Sequence, residues 1–440
     1  MHLGYKNKQS IQNSHENASL SRSGGANQKG GIGLAIELAK RVLDRLEEHG
    51  FEAYYVGGCV RDWLLQRPVH DIDICTNAHP GDVIRLFPDH VPTGLKHGTV
   101  SVKVEGQMFE VTTFRTEGKY EDYRRPAEVQ FVSELRLDLE RRDFTMNAMA
   151  MDRHQVLHDP FGGREDMQLR LVRAVGIPLE RFQEDALRLL RGVRFASQLG
   201  FAIEDQTMLA MKQTAPLLAH IAVERIREEL NKTLDSKAPE VGCQLLNETR
   251  LMAYAPEVEK LFVLSNEHVW RLHHLQTVTQ KWSLLLFAAN YSPVQSREVC
   301  QFLKMSKRET EAICCLVELL TRLQPQWDVP QPIEWGPLLL EVGLDTCNEF
   351  FLLLQACWWK ERQSFSMQAL LDQYENMPVK TIKDLAITGL DLQVAIQKKP
   401  GEWIFRVLES LLRQTALHGL PNTPEALVEV AKKEVAQDEH

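Results

Sequence analysis

Apolar positions recur at helical spacing over 32–49, with Leu34, Ile36, Leu38, Val42, Leu43 and Leu46 carrying the stripe and Gly50 closing it. The spacing predicts an amphipathic helix with a glycine stop. Residues 1–31 before it are polar, rich in Asn, Ser, Gln and Gly, and show no period; they predict a disordered extension without chemistry. A short run rich in Tyr and Val at 52–56 predicts a buried strand, and 59–66 returns to helical spacing. Residues 70–75 then alternate, so Ile72 and Ile74 face one way and Asp71 and Asp73 the other. A short helix follows over 80–87. Alternation at 97–104, a turn at Gly106-Gln107 and a strand at 108–115 make a hairpin. The charged stretch 116–128, with Gly and Pro, predicts a mobile loop. Residues 129–132 resume the sheet. A helix over 134–150 is expected to carry Arg142, Asp143 and Asn147 at its end.

From Pro178 onward the pattern is helical, over 179–199, 205–221, 222–236 and many shorter segments to Lys433, with prolines dividing them and no fixed-period repeat. The fold class is therefore α+β: a small mixed-sheet head followed by a long all-helical extension. The expected division is an extension at 1–31, a head at 32–160, a helical neck at 161–255, a helical body at 256–375 and a helical tail at 376–440. Trp335, Trp358, Trp359 and Trp403 in the extension read as core.

Composition narrows this moderately. A hydrophobic content of 44% and a charged content of 25% are those of a soluble globular protein, and no apolar run reaches membrane-helix length. No secretory signal is expected at the start. The eight cysteines have no regular spacing and no Cys-x-x-Cys pair, which points to reduced thiols in a cytoplasmic protein. A net charge of −9 weighs against a nucleic-acid partner, but only the local surface need be basic, and 115–125, 136–142 and 181–194 are rich in arginine.

Chemistry concentrates at 55–76. Gly57 and Gly58 between a strand and a helix let backbone approach a phosphate. Asp71 and Asp73 share a strand face and can hold hard divalent cations together, although Asp-x-Asp alone equally suits a solvated edge strand. Glu110 in the 108–115 strand either joins them or is an ordinary surface glutamate. Further on, Asp185 and Arg188 are three apart and would be neighbours on one helical face. A guanidinium beside a carboxylate offers donors and acceptors in one plane, suited to a base edge.

Paired glycines, an arginine and Asp-x-Asp in this order resemble the nucleotidyltransferase superfamily of polymerase beta type. Three further stretches, RRDFTMNAMAMD from Arg141, HDPFGGRED from His158 and EDALRLLRGVRFA from Glu184, occur in family order. Together with GGCVRD and DID they resemble the class II tRNA nucleotidyltransferases, the CCA-adding enzymes, and the related bacterial poly(A) polymerases. The strong resemblance spans about 54–234; DLAITGLDL and KKPGEW near the end resemble the tRNA-binding tail of bacterial CCA-adding enzymes.

The resemblance implies a polymerase that extends the tRNA 3′ end from CTP and ATP without a nucleic-acid template, using Mg²⁺. It places the metal ligands at Asp71 and Asp73 and triphosphate contacts at Gly58 and Arg61. Nucleotide contacts fall at Arg142, Asp143, Arg191 and Arg194, with Asp143 at the ribose. Asp185 and Arg188 would accept from and donate to cytosine or adenine, and reject uracil and guanine. Asp122, Arg124 and Arg125 fall in a segment similar to the flexible loop of complete CCA-adding enzymes. His273-His274 lacks the aspartate of the His-Asp phosphohydrolase domain that some relatives carry, so no phosphatase is expected. No long basic C-terminal arm of the kind in some poly(A) polymerases is found. The alternatives are a poly(A) polymerase, a partial enzyme adding only CC or only A, and a non-enzymatic RNA-binding protein.

Overall fold

The computed structural model describes residues 26–69, 71–118, 120–121, 125–126, 129–262, 269–323, 333–357 and 366–437. The chain forms two compact units. The first comprises residues up to Thr116 with Val129–Leu139 and Met149–Asp159, and the second comprises Glu117–Glu128, Glu140–Ala148 and Pro160 onward.

The first unit is built on a mixed seven-stranded sheet. Helix α1 (Ala26–Glu48) begins inside the stretch expected to be disordered; residues 1–25 lie outside the described residues. It leads into β1 (Ala53–Val56), α2 (Gly58–Leu64), β2 (Asp73–Thr76) and α3 (Pro80–Leu86). Next come β3 (His90–Gly94), which the sequence pattern did not predict, β4 (Thr99–Val104) and β5 (Gln107–Thr113). The sheet runs β1-β2-β5-β4-β3, with the short strands Ala150–Met151 and Leu157–His158 extending the β1 edge. β2 and β5 are parallel, whereas β1 with β2, and β5 with β4, are antiparallel. The β4–β5 turn is Glu105-Gly106, both at positive φ (48° and 89°), one residue earlier than expected.

The register fixes two opposite faces. Tyr55, Ile74, Val111 and Val100 lie in one cross-strand row and are all buried. Each side chain so buried is worth about 1.5–3 kcal/mol. Leu38, Val42, Leu43 and Leu46 of α1 are buried as well, and α1 touches β1, β5 and α3. Because side chains alternate, the neighbouring row of Asp73, Glu110, Ser101 and Val91 points to the other face.

The helix expected over 134–150 is not formed. Helix α4 covers Leu135–Glu140, and a 3-10 turn occupies Thr145–Asn147. Every residue from Asp143 to Ala150 is buried. A run buried on all sides lacks the polar stripe of a surface helix, and Asp143 holds its own turn by accepting from the Phe144 amide at 2.8 Å.

In the second unit, Tyr120–Glu121 pairs with Arg125–Pro126 as a small hairpin within the expected loop. Helices α5 (Gly163–Gln168), α6 (Pro178–Glu184), α7 (Leu187–Leu199), α8 (Asp205–Thr214) and α9 (Val223–Leu234) follow. The parallel pair Leu171–Val172 and Ala202–Ile203 interrupts the all-helical expectation. Gly192 brings α7 against the 141–147 segment: a Cβ there would meet the Phe144 ring at 3.1 Å. Further helices continue to Gln437, with Trp335 and Trp403 buried as expected; Trp358 and Trp359 lie outside the described residues.

Candidate active site

Among the metal candidates, Asp73 opens β2 and is directly in register with Glu110 on the parallel strand β5. Parallel register sets their side chains on the same face. Asp73 is half-buried, while Asp71, just ahead of the strand, and Glu110 are exposed. Ile72 and Ile74 are buried, so the expected alternation carries through, although the strand starts at Asp73. Among the described residues no three His, Cys, Asp or Glu side chains close into a ready-made metal cage. Paired carboxylates on an open face nevertheless suit Mg²⁺, which retains water and binds through one or two carboxylates plus substrate phosphates.

The glycine pair divides its work. Gly57 carries the positive φ (75°), and its amide donates to Met149 O at 3.2 Å. Gly58 opens α2 with room for a side chain, since an added Cβ would meet nothing closer than Arg61 Nη2 at 3.8 Å. The Arg61 guanidinium is held by Asp62, donating from Nε at 3.1 Å and from Nη2 at 2.8 Å.

The second unit gathers most of the predicted nucleotide contacts. Asp143 is buried; its Oδ1 accepts from Asn147 at 3.0 Å and its Oδ2 from Arg191 Nε at 2.7 Å. Burial pushes this carboxyl up, but the Arg191 charge and the two side-chain hydrogen bonds outweigh burial and lower it to about 2. The same Asp143 charge raises Arg191. Arg194 Nε donates to Glu229 at 2.6 Å, yet burial lowers the arginine despite that partner. Arg142 is half-buried in the turn after α4.

Asp185 and Arg188 do not share one continuous helix. The run expected over 179–199 breaks at Asp185, whose backbone is extended (φ −134°, ψ 103°) between α6 and α7. The cause is local: Asp185 Oδ1 accepts from the Leu187 amide at 3.0 Å, a turn that competes with the helix. Arg188 pairs with Glu184 at 2.6 Å, and its two terminal nitrogens also donate to Arg181 O at 3.1 Å and Arg141 O at 2.8 Å. Asp185 instead faces Arg225 of α9 at 3.6 Å. Burial raises the Asp185 carboxyl against the opposing charges of Arg225, Arg188 and Arg191.

The sequence reading missed Glu184, Arg225 and Glu229 as partners. Glu184 was findable, because it lies four residues before Arg188. Arg225 and Glu229 are also one turn apart on α9, but nothing local says that this face meets α7. Of the expected loop residues, Asp122 and Arg124 lie outside the described residues; Arg125 is described in its backbone alone.

Comparison with known proteins adds a second line. The family described as Poly A polymerase head domain matches residues 53–173, and the RNA- and SrmB-binding site of polymerase A matches 200–262. The family described as tRNA nucleotidyltransferase domain 2 matches 273–431. A CCA-adding enzyme of Anoxybacillus flavithermus is 40% identical over 399 residues, covering 89% of this chain and 96% of the relative. One from Enterococcus faecalis is 38% identical over 406 residues, covering 91% and 97%. The crystal structure of the Bacillus stearothermophilus CCA-adding enzyme in complex with CTP superimposes with a TM-score of 0.81 at 36% identity, covering 92% of this chain and 98% of that one.

Proposed function

The chain belongs to the family of CCA-adding enzymes, and from that premise we propose that it adds C, C and A to the 3′ end of tRNA. The substrates are CTP and ATP, no nucleic-acid template is used, and pyrophosphate leaves. The observation that carries this reading is the likeness to a CCA-adding enzyme at 40% identity over 399 residues, 89% of this chain, which takes in the helical half. A poly(A) polymerase is the second reading, favoured by the names of the two matches covering the head and neck. Enzymes adding only CC or only A are variants of the first.

The residues divide the work by chemistry. Asp71 and Asp73, with Glu110 beside Asp73, would hold the Mg²⁺ ions. When bound, these ions neutralise the triphosphate and stabilise the attacking and leaving oxygens. The backbone at Gly58 and the Arg61 fork, fixed by Asp62, take the triphosphate oxygens. Asp143, kept ionised by Arg191, accepts from the ribose hydroxyl, and Arg142 and Arg194 add positive charge for the nucleotide. Asp185 accepts from the exocyclic amine of cytosine or adenine, and Arg188 donates to the ring acceptor. Arg188 enters that task already oriented by Glu184 and two backbone carbonyls. Uracil and guanine present a carbonyl where an amine is required, which leaves the Asp185 acceptor unmatched. Segment 116–128 reshapes the pocket between the second C and the terminal A, and the 376–440 tail contacts tRNA.

The deciding experiment offers tRNA lacking its 3′ end with each triphosphate and with all four, followed by product sequencing. CCA and nothing longer is expected; an A homopolymer on tRNA and on unrelated RNA alike would select the poly(A) reading. Deleting 119–125 is expected to leave CC addition largely intact and to stop the product before the terminal A.

A further inference from the structure

In the second unit, helices Lys307–Leu323 and Trp335–Cys357 touch each other and the helix Val278–Ala288. Residues from all three segments line a groove of about 700 Å³, a volume suited to a small organic ligand. Its two long walls differ. One is Asp345, Asn348 and Glu349, which follow the kink at Gly343 (φ 78°) and share a helical face by their spacing. The other is Ala312, Cys315 and Leu316, at the same spacing on the helix it touches.

The polar wall is unfinished. Glu349 Oε2 accepts from Thr277 Oγ1 at 3.2 Å, which orients the carboxylate. Elsewhere on the same two helices Arg322 forks onto Glu341 at 2.9 and 3.0 Å, whereas no ion pair joins Asp345 or Glu349 to a described residue. Asn348 Oδ1 is buried and accepts no hydrogen bond from the described residues. A buried acceptor left unmatched is unfavourable, and so are like charges four residues apart on a helix. Arg308 also lines the groove without an ion pair to a described residue, and Glu309 is taken up by its own helix start, accepting from the Ser306 amide at 2.8 Å.

We propose that this groove binds an aliphatic polyamine, a chain of methylenes carrying two or more ammonium groups. Ammonium groups are donors only, and a donor is what two open carboxylates and an orphaned amide oxygen lack. Glu349, held by Thr277, and the buried Asn348 oxygen take one ammonium, and the exposed Asp345 takes the next. The methylenes between them lie against Ala312, Cys315 and Leu316. Three carboxylates (Glu309, Asp345 and Glu349) against the one guanidinium of Arg308 give the lining a net negative charge, which draws cations and repels phosphates. A bare divalent ion suits the groove less. Among the described residues no three His, Cys, Asp or Glu side chains gather closely enough to hold one, whereas Mg²⁺ wants its oxygens around a single point. Acceptors spread along a helical turn match ammonium groups spaced by methylenes. The site uses no residue assigned above to metal or nucleotide.

The test titrates spermidine and putrescine into the full chain by isothermal calorimetry at constant ionic strength, without tRNA or triphosphate. One saturable site is expected for spermidine, with putrescine weaker. Asp345→Asn and Glu349→Gln should each weaken spermidine about tenfold, the worth of one charge-assisted hydrogen bond. Asn348→Asp should tighten it by placing a charge at the orphaned acceptor, and Arg308→Gln should tighten it by removing a repelling cation. A variant that gains affinity cannot owe the change to misfolding, so these two decide the matter if a weakening variant also loses its thermal midpoint. Spermidine should raise the midpoint of the unmodified chain and leave that of the Asp345→Asn, Glu349→Gln double variant unmoved. No saturable heat from spermidine at millimolar concentration would overturn the proposal. Unaltered affinity in the double variant would do the same, because the amine would then sit elsewhere. Weaker binding in Arg308→Gln would mark a ligand with an anionic group, and full displacement of spermidine by MgCl₂ at equal concentration would mark a site for small cations in general; either result excludes the polyamine.

Discussion

The carboxylates of the sheet and those of the helices are used in opposite ways. In the first unit, Asp71 and Glu110 are exposed and have no ion-pair partner among the described residues, and Asp73 lies in register beside Glu110. In the second, Asp143, Glu184 and Glu229 are each clasped by an arginine, and Asp143 and Glu229 are almost wholly buried. An open carboxylate is inexpensive to maintain in water and ready for a cation brought by substrate. A buried one must be neutralised from within, and that fixes its geometry before any ligand arrives. Metal chemistry tolerates the first arrangement because phosphates and water complete the shell. Discrimination between bases that differ by a donor or an acceptor needs polar groups fixed in advance, as the Arg188 guanidinium is by Glu184.

The sharpest way to break this comparison is at the sheet. Asp73→Ala should lower nucleotide incorporation about a thousandfold while the thermal midpoint stays near that of the unmodified protein, because a half-exposed ligand carries little of the fold. A large drop in stability together with activity would show that the Asp73 carboxylate is structural after all.

The opposite outcome is expected in the helices. Arg191→Met leaves Asp143 buried without its cation and should cost about 3 kcal/mol in urea unfolding. The pH dependence follows from the same pair. Asp143 is lowered from 3.8 to about 2, so its contribution is fully present above pH 3.8 and is lost as the pH falls toward 2. That contribution is worth about 2 kcal/mol. Arg191→Met should flatten the loss of stability between pH 4 and 2; an unaltered slope would remove the ion pair from the account.

Asp185→Asn is a smaller, selective change. An amide donates as well as accepts, so UTP and GTP use should rise about tenfold relative to CTP and ATP, with folding intact. The mildest effect belongs to Glu110→Gln, for which the Mg²⁺ concentration giving half-maximal rate should rise several-fold. No change in that concentration would return Glu110 to an ordinary strand glutamate.

Much of the sheet was legible because strand alternation is local. Ile72 and Ile74 inside with Asp71 and Asp73 outside follow from a period of two, and the α1 stripe follows from 3.6. The same reasoning failed at 134–150 and at Asp185. In both places an aspartate bonds a backbone amide one or two residues on, Asp143 to Phe144 and Asp185 to Leu187, and so turns the chain out of a helix that periodicity favours.

By itself the sequence determined the class of fold, the order of the motifs and the residue types they carry. Each of those is written in neighbours along the chain. Tertiary structure alone decided that Glu110 stands beside Asp73, that Arg191 neutralises Asp143 and that Arg225 faces Asp185. Each of those pairs joins residues between 37 and 48 positions apart, and their meeting depends on strand register and helix packing. Those are set by the burial of whole faces, and no local spacing encodes them.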